Sequence, residues 1–129
     1  DAGAVATKAT PTFNATDAVV FVLDTDDDAL LTLVGVKAGT ADTAIDVASA
    51  KLTLAAATDY YFGIELRDDQ ARGYILTADG RLLHSTEWMD DAVTATVLLT
   101  PWAFQQNRSA TQRTMTIDMV YAYQRRTTA

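Results

Sequence analysis

Few side chains in this sequence could do chemistry, and their spacing decides which. Asp24, Asp26 and Asp28 alternate within Asp-Thr-Asp-Asp-Asp, the densest cluster of charge. Hard cations want several carboxylate oxygens, so these three are candidate calcium ligands. The rest of a calcium loop does not follow. Ala29 stands where the turn needs glycine, and Gly35 stands where a bidentate glutamate belongs. A solvated hairpin tip is the competing reading. His84 is the only histidine and cysteine is absent. No histidine or thiolate cluster can therefore form a transition-metal site, and no disulfide framework exists.

Hydrolytic chemistry is equally sparse. A Ser-His-Asp set would have to join His84 to Ser85 or Ser109 and to Asp79 or Asp118, with no nucleophile-elbow pattern to support it. A glycosidase needs two facing carboxylates. Glu65 and Glu87 are the only glutamates, and Arg67 occupies the alternate position beside Glu65. A glycan hydrolase built on Glu65 and a nearby aspartate is the third-ranked reading. The glycines are scattered, so no phosphate-cradling loop is expected. The sequence reads as a non-enzyme with no catalytic residues and no cofactor. The aromatics leave one other possibility, since exposed rings stack on sugars or anchor interfaces. Trp88 and Trp102 are the candidates, the remaining aromatics being assigned to packing.

The elements that must position these residues are strands. Residues 59–86 predict three antiparallel strands in sequence: Asp59 to Arg67, Arg72 to Ala78 and Arg81 to Thr86. In the first, Tyr60, Phe62, Ile64 and Leu66 share one face because strand side chains alternate. That face is expected to pack against Met115, Ile117 and Met119 or against a strand at Val93 to Thr100. Asp68-Asp69-Gln70 predicts the first turn, and Asp79-Gly80 a two-residue type I′ turn. Ala18 to Leu23 and Ala29 to Val36 predict two earlier strands, followed by a loop at Lys37 to Thr43. Ala44 to Val47 and Ser49 to Leu54 are short candidates, with a helix over Ala50 to Ala57 competing. Glu87 to Asp91 reads as a loop. Arg113 to Gln124 predicts the longest strand.

A chain of 129 residues makes one domain, with a formal net charge of −7. An acidic surface repels phosphate backbones, so nucleic acid is not an expected partner. No apolar run approaches the length of a membrane span, so no membrane is expected either. Residues 1–17 lack pattern and read as an extended arm or linker, 18–126 as a β-sandwich and 127–129 as a tail. The arm is either a disordered end or a strap on a neighbouring subunit, anchored by Phe13. A chain beginning at Asp1 reads as a processed product or part of a longer protein.

Four segments resemble the concanavalin A-like jelly-roll domains of bacteriophage virion proteins. They are TLAAATDYYFGIEL, ARGYILTADGRLL, VLLTPWAF and RTMTIDMVYAYQRR, preceded by a hairpin at DAVVFVLDTDDDALLTLV. Together they cover most of residues 18–126. The resemblance implies an all-β antiparallel sandwich, from which this sequence departs in reading as shortened on its N-terminal side. It also implies a non-enzymatic role as a capsid decoration, cement or head-fibre protein on the virion exterior. The implied partners are other copies in a homo-oligomer, a trimer favoured, together with capsid or other virion proteins. A lectin-like module binding a host surface glycan is the alternative. The paired acids of related glucanases and the metal ligands of legume lectins are not found here, so no functional residue is carried over.

Overall fold

The strands form where β-branched and aromatic residues alternate between turn residues. The computed structural model describes residues 14–23, 31–47, 52, 54–55, 57–101, 103, 114–120 and 122–123. Two compact units divide the chain, Asp1–Val97 and Leu98–Ala129. The first is all-β, with two three-stranded antiparallel sheets and no helix among the described residues.

One sheet contains β1 (Ala18–Leu23), β2 (Leu31–Lys37) and β3 (Thr40–Val47), with β2 central. The other contains β4 (Tyr60–Arg67), β5 (Gln70–Thr77) and β6 (Leu82–Ser85), with β5 central. The sheets meet through their central strands. Leu33 of β2 packs with Ala71 of β5, Met89 and Ala92, and with Val19 and Phe21 of β1. Leu31 and Ile75 form a second cluster with Phe21, Leu52, Leu54, Tyr60 and Leu83. Two glycines allow this approach. A Cβ on Gly73 would run into the Phe21 ring and lie 3.3 Å from Leu33 Cδ2. A Cβ on Gly35 would lie 2.8 Å from both Ala92 O and Met89 Sδ.

The turns differ from expectation in instructive ways. The β2–β3 loop is only Ala38-Gly39, both at positive φ (50° and 79°), so Thr40–Thr43 belong to a strand rather than a loop. That is the conformation a tight two-residue hairpin requires. The β4–β5 loop is Asp68-Asp69, and Gln70 already pairs with Arg67. After β5 the type I′ expectation is replaced by a three-residue loop. Gly80 N–H donates to Thr77 O (2.9 Å), Thr77 N–H donates to Arg81 O (3.0 Å), and Gly80 alone takes a left-handed φ of 84°. A type I turn closed by a left-handed glycine has this form.

Two expected strands are absent among the described residues. Over Val93 to Thr96 the chain turns, and no strand forms from there to Thr100. The N–H groups of Ala92 and Val93 both go to Asp69 O (2.7 and 3.3 Å), and Val97 N–H goes to Thr94 O (3.1 Å). The described part of Arg113 to Gln124, in the second unit, alternates in sequence but carries no strand. Alternation suits a pleated surface but does not supply a ladder partner. The predicted strand over Ser49 to Leu54 lies mostly outside the described residues, and none is formed at Leu52 or Leu54.

Glu87 to Asp91 is more structured than a loop. Met89 bridges Ala71 through two backbone hydrogen bonds (2.8 and 3.0 Å) and is buried. The end of the expected arm is tied down too, since Gly39 N–H donates to Thr16 O at 2.7 Å.

Candidate functional site

Register places the chemistry. The two-residue loop after β4 sets Glu65 opposite Arg72, Gly63 opposite Tyr74 and Tyr61 opposite Leu76. Opposed residues share a face, so these side chains lie on the outer side of the sheet, away from Ile75. There Arg72 Nη2 donates to Glu65 Oε2 at 2.8 Å, and the Tyr74 hydroxyl donates to the same oxygen. The guanidinium lies 4.9 Å from the Tyr74 ring centroid and 4.6 Å from that of Trp88. Arg72 Nε is buried without a hydrogen-bond partner among the described residues. Its charge faces two aromatic rings instead.

These contacts bear on the acid. Hydrogen bonds from Tyr74 and then Arg72 hold the Glu65 carboxyl below its usual range. Burial, followed by the hydrogen bond to Glu65, raises the Tyr74 hydroxyl. A glycosidase general acid needs the opposite pull on its carboxyl. Trp88, a candidate for ligand or interface contact, has Arg72 against its ring and is half-buried.

A second cluster joins the turns of both sheets. Lys37 Nζ lies 2.5 Å from Asp91 Oδ1 and 3.9 Å from Asp69 Oδ2. The Gln70 amide donates to Asp90. Thr94 N–H donates to Asp17 Oδ1 at 2.7 Å, and Thr94 holds the Asp17 carboxyl below its usual range. Lys37 does the same to Asp91. Paired in this way, the cluster fastens Lys37 at the end of β2 to the turn after β4.

The third feature is apolar. Phe62, Ile64 and Leu66 lie opposite Ile75, Gly73 and Ala71, so they are on the core side as expected. Yet they stay 47%, 41% and 44% exposed. The expectation that this row is buried is corrected: among the described residues β4 is the edge of its sheet, and of its residues Tyr60 alone joins a core cluster. Phe62 does reach Phe21 of β1, with ring centroids 5.4 Å apart.

The other sequence candidates, Asp24, Asp26, Asp28, Phe13 and Trp102, lie outside the described residues. Among the described residues no group of three His, Cys, Asp or Glu side chains could hold a metal. His84 sits half-buried on β6 opposite Ile75. No family model, curated protein or solved structure matches this chain.

Proposed function

We propose that this chain is a non-enzymatic structural protein of a bacteriophage virion, a decoration or cement protein on the particle exterior. In this reading the two sheets belong to a jelly-roll sandwich of the concanavalin A-like kind, and the protein works as a homo-oligomer on the capsid. The observation that carries the reading is the open apolar row Phe62, Ile64 and Leu66 on an edge strand. A long apolar edge is a liability for a free monomer and an asset for an assembled part. The strand pattern supplies the virion context. Arg72 and Tyr74 both take Glu65 Oε2, so this carboxylate already has a structural use within the sheet. Mass spectrometry of purified virions tests the reading: the chain should be present at high copy number. Absence from the particle overturns it.

A further inference from the structure

We infer that β4 is a self-association strand, pairing antiparallel with β4 of a second copy about a two-fold axis at Ile64. Backbone geometry comes first. Gly73 exchanges hydrogen bonds with Thr86, Ala71 with Met89, and Thr77 N–H donates to Arg81 O, all on the β6 side of β5. In an antiparallel ladder the N–H and C=O of one residue point the same way, and successive residues alternate. Arg72, Tyr74 and Leu76 therefore bond toward β4, where they meet Glu65, Gly63 and Tyr61. Phe62, Ile64 and Leu66, one residue out of phase, aim their backbone groups at the open edge.

The edge lacks the usual protections. β4 is eight residues long, pairs with β5 without a register shift, and contains no proline and no lysine. The opposite edge, β6, is four residues long and carries a register irregularity, which are both protective devices. Two-fold pairing at Ile64 sets Phe62 against Leu66 of the second copy, Ile64 against its own copy and Tyr61 against Arg67. The apolar row then runs on across the junction. The outer face gains a tyrosine–arginine contact of the cation–π kind. Within the strand itself charge does not oppose the contact, although the whole chain is acidic at −7. Within β4 one glutamate balances one arginine, and Glu65 is already neutralised by Arg72. A two-fold contact of this sort uses one patch twice and closes on itself.

The chain has no cysteine, which makes the test clean. In Ile64→Cys the two thiols would flank the axis in a hydrogen-bonded pair, with Cα atoms about 5.5 Å apart, within disulfide range. Mild oxidation of the full chain should give a covalent dimer, while Leu82→Cys, on β6, should not. Sedimentation equilibrium should give twice the chain mass for wild type and lose that species in Ile64→Lys, with circular dichroism unchanged. A wild-type monomer at all concentrations overturns the inference. So does Ile64→Cys that oxidises no faster than Leu82→Cys, a result that does not depend on the lysine variant folding. A three-fold mass without cross-linking at position 64 also overturns it. Absence from virions would leave the contact intact, so the two failures are distinguishable.

Discussion

β4 and β5 are neighbours in one ladder, similar in length and alternation, yet they live in different surroundings. Ala71 and Ile75 of β5 are buried at 0% and 1% exposure, while Leu66 and Phe62, directly opposite them, are nearly half open. The difference is position. β5 has strands on both sides and the other sheet beneath it, whereas β4, among the described residues, has a strand on one side only. Alternation tells a side chain which way to point; its place in the sheet decides whether anything meets it there.

The largest expected effect tests that contrast directly. Ile75→Ala removes a fully buried side chain and should cost about 2–5 kcal/mol in urea unfolding. Its opposite partner, Phe62→Ala, should cost about 1.5–2.5 kcal/mol, roughly half the value for a fully buried phenylalanine. Equal costs would erase the distinction between the strands. If β4 pairs with a second copy, the cost of Phe62→Ala should grow with protein concentration while that of Ile75→Ala stays constant.

A smaller effect is expected on the outer face. Arg72→Met should lower the unfolding midpoint by less than Phe62→Ala, because exposed ion pairs contribute little. It should also raise the Glu65 carboxyl toward its ordinary value, measurable by carbon NMR titration. An unchanged titration would mean that Tyr74 alone holds the acid.

The smallest effect is on pH dependence. Glu65, Asp17, Asp79 and Asp91 all titrate below their ordinary values in the folded chain, held there by Tyr74, Thr94, Thr77 and Lys37 in turn. A depressed folded value means that the unfolded chain binds protons more readily. The stabilisation is complete above the ordinary carboxylate range and is lost as pH falls through the folded values. Urea midpoints should therefore be flat near neutrality and fall below about pH 4. A midpoint that rises on acidification would contradict the four contacts.

Much of the fold was legible where a strand was bounded by strong punctuation. Ala18–Leu23 and Tyr60–Arg67 form nearly as the pattern predicts. The turns were harder, because a non-glycine residue at positive φ gives no sign in sequence. Ala38 is such a residue, and reading its turn as a longer loop hid half of β3. The stacked arginine was hidden by one residue of register. Taking Asp68-Asp69-Gln70 as the turn shifts β5 by a position and puts Arg72 opposite the wrong partner. A two-residue turn pairs Glu65 with Arg72 at once, so the signal was present in the loop length. Val93 to Thr100 misled for the opposite reason: its pattern suits a strand, but Asp69 and Asp17 take the backbone groups that a ladder would need.

The seat of Phe21 over Gly73 bears on how fast the chain folds. The two residues are 52 positions apart in sequence (73 − 21) and touch only when the sheets have come together. The β4–β5 hairpin closes over a two-residue loop, an event of microseconds. Docking one sheet on the other must instead close a long stretch of chain before any contact rewards it, which places this step among the slow, non-local ones. A glycine that leaves room for a ring thus gives a probe of this docking step. Enlarging it to alanine should slow refolding if the ring is already seated in the transition state, and speed unfolding if it seats afterwards.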